Sequence, residues 1–191
     1  MNAAVFASGS GSNAENLIRF FEKRDDLCIA LVVSNKTDAQ VIERAQRLGV
    51  PHQYVSPKAI REDDGLTELL KQYQIDIVIL AGFLQLIPAY LIQLFPRRIV
   101  NIHPALLPKY GGKGMYGMHV HQAVVAAGER ETGITIHEVN EHYDEGRIVF
   151  HASCAVAETD SPEDVANKIH ELEYKHFPQV VADWIKTLSV Q

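Results

Sequence analysis

Short apolar runs alternate with stretches of helical periodicity along the chain, the arrangement that builds βαβ units around a mostly parallel sheet. Residues 3–7 form the first apolar run, and the small, polar segment 8–13 turns the chain. Residues 15–23 then carry Leu17, Ile18, Phe20 and Phe21 at helical spacing. Further strands are predicted over 28–33, over 50–55 (weakened by Pro51), over 75–81 and over 99–102. The third of these is apolar on both faces and therefore central. Helices are predicted over 38–48, closed by Gly49, over 66–73, from Pro88 to Leu94, and over 119–127, closed by Gly128. Beyond Gly133 the period changes to two: Ile134, Ile136 and Glu138 alternate with Thr135, His137 and Val139, and a second such run covers 148–156. These two runs read as an antiparallel pair added to the parallel sheet. Ser161-Pro162-Glu163-Asp164 supplies an N-cap, a proline at the first helical position and acids in the first turn. Val165, Ile169, Leu172, Val180 and Trp184 continue it as a long final helix, with a kink expected at Pro178 and with Phe177 and Trp184 in the core. The predicted fold is α/β: a doubly wound, Rossmann-like, mostly parallel sheet with an antiparallel C-terminal strand pair and a long C-terminal helix.

Composition narrows the function without naming it. Of the 191 residues, 47% are hydrophobic and 22% charged, the proportions of a globular chain. A net charge of −6 argues against a protein that grips nucleic-acid backbone, which needs a basic face. A small anionic substrate stays open, because backbone N–H groups at a helix start hold phosphate. Cys28 and Cys154 stand far apart in apolar surroundings and form no C-x-x-C pair, so both are expected as small core hydrophobes. The apolar runs are far shorter than the roughly 20 residues of a membrane span, and no signal-peptide pattern is present. A soluble, cytoplasmic protein is expected.

Two constellations carry chemistry. Strand, then Ser8-Gly9-Ser10-Gly11-Ser12-Asn13, then helix is an anion-binding order. Glycine lets the backbone approach a phosphate, and the new helix aims unpaired N–H groups and its positive dipole end at it. Gly9-x-Gly11-x-x-Ala14 also fits a dinucleotide fingerprint, but the second strand ends in Ser34-Asn35-Lys36, where a nicotinamide cofactor wants an acid. Ser12 and Asn13 suit a terminal phosphate better; a Gly/Ser turn without a ligand is the plainer alternative. The second constellation starts from Asn101 and His103, two apart at a strand end and therefore on one face. An amide donor beside an imidazole can stabilise a developing oxyanion. Asp144, in the turn between the two antiparallel strands, is placed to reach that histidine, to hold its charged form or to relay a proton. Taken alone, the three serve a structural network as well as a catalytic one.

No metal is expected. His119-Val120-His121 diverges at i, i+2 on a helix start, whereas ligand pairs on a helix stand at i, i+4. His119 is read instead as lining the pocket or bonding loop backbone. His137, after Thr135 on its strand, either supports the site from behind or is a hydrogen-bonded core histidine. No G-x-S-x-G surrounds any serine, so a serine nucleophile finds no support.

Six segments stand in one order: Ser8-Gly9-x-Gly11-Ser12-Asn13, Leu80-Ala81-Gly82-Phe83, Asn101-Ile102-His103-Pro104-Ala105-Leu106-Leu107-Pro108, Gly133-Ile134-Thr135-Ile136-His137, Asp144-Glu145-Gly146 and His170-Glu171-x-Glu173. Together, and over nearly the whole chain, they resemble the phosphoribosylglycinamide formyltransferases. The resemblance implies transfer of a formyl group from the co-substrate 10-formyltetrahydrofolate to the amino group of glycinamide ribonucleotide, in purine biosynthesis. It gives Gly11, Ser12 and Asn13 the substrate phosphate, makes Asn101, His103 and Asp144 the catalytic set with Asp144 keeping His103 charged, and sets Glu173 on the glycinamide end. It lines a pterin pocket with Leu80, Gly82, Phe83, Leu84, Gln85, Leu86, Ile87, Asn140 and Tyr143. Arg61 is assigned to a glutamate carboxylate of the folate, with a plain surface arginine as the alternative. Residues 1–191 then form one formyltransferase domain, its phosphate-binding half about 1–100 and its catalytic and folate half about 101–191. The implied partners are small molecules, with neither nucleic acid nor membrane, and the implied state is a monomer or a homodimer.

Three departures from the family pattern bear on function. Gly111-Gly112-Lys113-Gly114-Met115-Tyr116-Gly117 is longer and richer in glycine than the usual loop, which suggests either a lid over the ribonucleotide or simple disorder. Gln85 stands where several relatives carry arginine, and Asp144-Glu145-Gly146-Arg147 replaces a more glycine-rich turn. The related methionyl-tRNA formyltransferases and formyltetrahydrofolate deformylases share this core but carry a further domain. A catalytically dead nucleotide or folate sensor is opposed by the presence of all three catalytic residues.

Overall fold

The computed structural model describes residues 1–188; the last three residues of the predicted domain lie outside them. Strands β1 (Asn2–Phe6), β2 (Cys28–Ser34), β3 (His52–Tyr54), β4 (Ile77–Leu80) and β5 (Ile99–His103) pair in parallel, in the spatial order β3-β2-β1-β4-β5. The sheet continues with β6 (Glu131–Glu138), antiparallel to β5, and β7 (Ile148–Ala155), antiparallel to β6. The predicted strand pair is thus the far end of one continuous sheet.

Side-chain alternation along β1 explains the layers. Ala3, Val5 and Ala7 enter one apolar core, while Ala4 and Phe6 enter the other. Helices α1 (Ser12–Phe21) and α2 (Gln40–Arg47) close the first core with Leu17 and Ala45. The second face is covered by α3 (Pro57–Glu62), α4 (Leu66–Gln72) and α5 (Ala89–Leu94) through Ile60, Leu70 and Leu91. The chain then returns to the first face with α6 (Met118–Ala126) and α7 (Pro162–Leu188), which bury Val120, Phe177 and Trp184. No helix among the described residues is long and apolar enough to cross a membrane.

Tertiary structure bears out some local expectations and changes others. Helix α3 was not predicted, although its signals are local: Ser56 Oγ accepts the Ala59 N–H at 3.1 Å and Pro57 opens the helix. The Ser161 cap is reciprocal, with Ser161 Oγ accepting the Asp164 N–H at 3.2 Å and Asp164 Oδ2 accepting the Ser161 N–H at 2.9 Å. Helix α7 runs on through Pro178. The carbonyl that this proline leaves without its usual partner, that of Tyr174, accepts Asn16 Nδ2 of α1 at 3.0 Å, so the gap in the helical ladder is closed from a neighbouring helix. Of the two cysteines expected in the core, Cys28 is exposed at the opening of β2, while Cys154, half-buried on the edge strand β7, packs against the first core. On β6 the alternation holds, but Thr135 and His137 are buried like Ile134 and Ile136, because the chain after β5 and the turn at Asp144 cover that face.

Strands β6 and β7 approach so closely at Gly133 that an added Cβ would stand 2.0 Å from the Ala152 carbonyl and 2.9 Å from Ser153 Cα. Gly133→Ala is therefore expected to force the pair apart and lower stability by about 3 kcal/mol. Urea denaturation measures this; a loss under about 0.5 kcal/mol would mean that the strands yield there at no cost.

Candidate active site

After β1 the chain turns to α1 on one face of the sheet, and after the adjacent β4 it proceeds to α5 on the other. Chains leaving neighbouring parallel strands in opposite directions open a crevice at the carboxyl ends, where α/β sheets bind ligands. A cleft of about 590 Å³ occupies that position. It is lined by the β1–α1 loop, the segment 81–84 after β4, the end of β5 from Asn101 to Pro104, the loop 112–117, Tyr143 and Asp144, and α7 at Ile169, His170 and Glu173.

One end of the cleft is a polar cradle. Gly11 caps α1 in a left-handed conformation, φ 73°, with no side-chain hydrogen bond to the helix. The first intrahelical bond is from Glu15 N to the Gly11 carbonyl at 2.9 Å, which leaves the N–H groups of Ser12, Asn13 and Ala14 outside the helical ladder. An alanine Cβ at Gly11 would lie 2.4 Å from Val41 Cγ2, so helix α2 requires glycine here. Helix α2 also holds the loop: the Val41 N–H reaches the Gly9 carbonyl at 3.2 Å and Arg44 Nε the Ser10 carbonyl at 2.7 Å. Asn35, at the end of β2, is engaged by Ser8 Oγ at 2.7 Å, and the Leu84 N–H donates to the same hydroxyl at 3.0 Å. Ser8 thereby ties the cradle to the segment after β4.

The other end holds Asn101, His103 and Asp144. His103 Nε2 lies 2.8 Å from the Tyr110 carbonyl, which only accepts, so Nε2 carries a proton. Its Nδ1 faces Asp144 Oδ2 at 3.5 Å. Burial pushes the imidazole below its ordinary value; the Asp144 charge and the Tyr110 carbonyl pull it up by less, and His137 adds to the fall. Asp144 thus pulls in the expected direction, but burial prevails and the free site keeps His103 neutral at neutral pH, with Nδ1 open to a proton. The Asp144 carboxyl is itself held below the usual carboxylate value: burial opposes this, but His137 and His103, whenever they carry the extra proton, and the Gly112 N–H, 2.9 Å from Oδ2, outweigh it. Asn101 Nδ2 donates to His137 Nε2 at 3.0 Å, and His137 Nδ1 donates to the Glu138 carbonyl at 2.9 Å. That leaves the second Asn101 N–H for a ligand. Thr135 Oγ1 donates to the Ala105 carbonyl at 2.7 Å and accepts the Leu107 N–H at 3.0 Å, fixing the chain as it leaves His103.

A smaller pocket of about 60 Å³ adjoins the cleft and shares Phe83, Asn101, Tyr143 and Asp144 with it. Leu80, Gln85, Leu86, Ile87 and Asn140 line it, while Gly82 and Leu84 face the main cleft, so nearly all residues assigned to the pterin come together. Two assigned residues do not. Arg61 is exposed on α3 and lines neither space. His119 is exposed and stacks edge-to-face on Tyr116 at 5.4 Å, instead of lining the pocket. Helix α6 starts at Met118, so its inward position falls on His121, which is 3% exposed and lines the cleft. The glycine-rich loop is joined to the site by the bond from Gly112 to Asp144.

The formyl transferase model matches residues 1–181. The chain belongs to the formyl transferase family. It is 45% identical to a chloroplastic phosphoribosylglycinamide formyltransferase of Arabidopsis thaliana over 93% of its own length, and 36% identical to the phosphoribosylglycinamide formyltransferase of Bacillus subtilis (strain 168), again over 93%. It spans 63% of the Arabidopsis protein, 59% of the relative from Vigna unguiculata and 91% of the Bacillus subtilis protein. Its fold superposes on the phosphoribosylglycinamide formyltransferase of Bacillus halodurans with a TM-score of 0.85 and 35% identity, covering 100% of this chain and 96% of that one.

Between the two ends, the floor of the cleft in this formyl transferase brings Asn13 and Glu173, both assigned from the sequence, together with His121, which sequence reasoning did not assign to the site. Asn13 Nδ2 donates to Glu173 Oε2 at 2.8 Å, and burial pushes the Glu173 carboxyl above its usual value, against the pull of Asn13 and His170. Asn13 Oδ1 and His121 Nδ1 are buried without a hydrogen-bond partner among the described residues. Burial, with His170 and His103 nearby, lowers the His121 imidazole to about 4. Between its ordinary value of 6.5 and about 4, the unfolded chain binds more protons there than the native one, so stability falls as pH falls through that window and is unaffected above it. Wild-type protein is expected to lose up to about 3 kcal/mol more than His121→Gln between pH 7 and pH 4. Urea denaturation at the two pH values checks this, and equal losses would mean that His121 titrates normally.

Proposed function

We propose that this chain transfers a formyl group from 10-formyltetrahydrofolate to the amino group of glycinamide ribonucleotide. The observation that carries the reading is the sharing of one cleft by an uncapped helix start and by Asn101, His103 and Asp144. Family membership supplies the reaction type, and the names of the relatives supply the substrate. The phosphate sits on the N–H groups of Ser12 and Asn13 beside Gly11, where the helix dipole favours negative charge. Glu173, on the floor of the cleft, meets the glycinamide end. Leu80, Gly82, Phe83, Leu84, Gln85, Leu86, Ile87, Asn140 and Tyr143 take the pterin.

The neutral amine attacks the formyl carbon, and the carbonyl electron pair moves to oxygen, where the free Asn101 N–H meets it. The proton lost by the amine passes, through water, to the Asp144–His103 pair. The imidazole becomes charged as the oxyanion develops, bridging the Tyr110 carbonyl and the Asp144 carboxylate through its two N–H groups. On collapse the C–N10 bond breaks, and the same proton goes to N10 of the tetrahydrofolate. A histidine kept neutral by burial suits this sequence, because it has a vacancy for the proton before attack and gives it up afterwards.

Incubation of the purified protein with both substrates, followed by folate absorbance, tests the activity; folded protein that produces no tetrahydrofolate would sink the reading. Asp144→Asn is expected to lower kcat by ~10²–10⁴-fold, while the ribonucleotide, held at the other end of the cleft, still binds. Turnover unchanged in that variant would remove Asp144 from the proton path.

A further inference from the structure

Three consecutive residues, Tyr110, Gly111 and Gly112, touch both members of the His103–Asp144 pair. The Tyr110 carbonyl receives His103 Nε2 at 2.8 Å, and the Gly112 N–H donates to Asp144 Oδ2 at 2.9 Å. Gly111 between them packs so tightly that an added Cβ would stand 2.5 Å from Leu107 Cδ2 and 3.3 Å from Asp144 Cβ. Tyr110 itself adopts φ 55°, a left-handed conformation that L side chains resist. Two glycines follow immediately, yet the strained position carries a large side chain. That side chain packs its ring against the first apolar core and ends on a charged group: the phenol donates to Glu129 Oε1 at 2.9 Å, and Lys109 Nζ contacts the same oxygen at 2.8 Å. Glu129 follows directly on Gly128 behind α6. Lys109 and Tyr110 hold Glu129 below the usual carboxylate value, so it stays a charged acceptor for the phenol.

From this geometry we propose that Tyr110 is a positioning residue for His103, anchored through its hydroxyl to Glu129. The anchor holds the strained backbone in place, and the backbone carbonyl selects the imidazole form with the proton on Nε2. Nδ1 is thereby left facing Asp144 as the proton vacancy. Without the anchor the carbonyl drifts, the other neutral form gains population with its proton on Nδ1, and the vacancy is lost. The consequence for turnover rests on the proposed formyl transfer; the effect on the imidazole does not.

Two measurements on the full chain decide it, with Tyr110→Phe, Glu129→Ala and the conservative Glu129→Gln, whose side-chain oxygen still accepts from the phenol. Nitrogen-15 spectra of the His103 ring report the form directly. The proton is expected on Nε2 in wild type and Glu129→Gln, with the Nδ1–H form appearing in Tyr110→Phe and Glu129→Ala. Steady-state kinetics should show kcat about 10-fold to 100-fold lower in the latter two, with both KM values close to wild type and Glu129→Gln restored. An unchanged ring spectrum in folded Tyr110→Phe overturns the proposal, and so does an altered spectrum with wild-type kcat or a loss carried by KM alone. If wild-type protein transfers no formyl group, the proposed reaction fails while the ring spectrum still judges the anchor.

Discussion

Everything at the site depends on one topological constraint: β1 and β4 are neighbours in the sheet, but the chain leaves them toward opposite faces. No helix can cover the gap between their ends, so a crevice is left at which a helix N-terminus, a strand end and several loops converge. The crevice is held open in a fixed shape by bonds between those loops. Ser8 contributes most, its N–H reaching the Gly82 carbonyl at 3.0 Å and its hydroxyl joining Asn35 to the backbone of Leu84. A phosphate-sized anion at one side and a reacting carbonyl at the other can then share a single space.

The electrostatics of that space follow from burial. Water is largely excluded from His103, His121 and Glu173, and the neutral form of each is favoured there. Asp144 is the exception, because the Gly112 N–H donates to it and a proton taken up by His103 or His137 beside it favours its charge. A cleft holding one stabilised carboxylate beside a neutral imidazole has a defined place for one mobile proton. Asn13 Oδ1 and His121 Nδ1 have no hydrogen-bond partner among the described residues, and a polar ligand lying along the floor of the cleft would satisfy them.

The parts of the fold legible in the sequence are those set by local pattern. The strands centred on residues 4, 31, 79 and 101 follow from short apolar runs, and the capped start of α7 follows from Ser161-Pro162. Ser56-Pro57 carries the same kind of signal for α3, but six residues with Ile60 as their buried member show no sustained periodicity, and the helix went unread. The motif residues Gly11, Asn101, His103 and Asp144 were legible because their chemistry is distinctive and their spacing relative to strand ends is constrained.

What the sequence determined by itself was therefore the alternation of elements, the motif side chains that come to line the two ends of the cleft, and the mixed direction of the sheet. Only the tertiary structure decided that His121 and not His119 faces the cleft, since the rotation of α6 is set by packing Val120 and Val124 into the core. The same holds for Arg61, left in solvent, and for the carbonyl freed by Pro178, which Asn16 of another helix takes up. The physical reason is common to all of these. Apolar periodicity and turn propensity act between residues a few positions apart, whereas a buried polar group is settled by whichever distant donor, acceptor or charge the fold brings within about 3 Å of it.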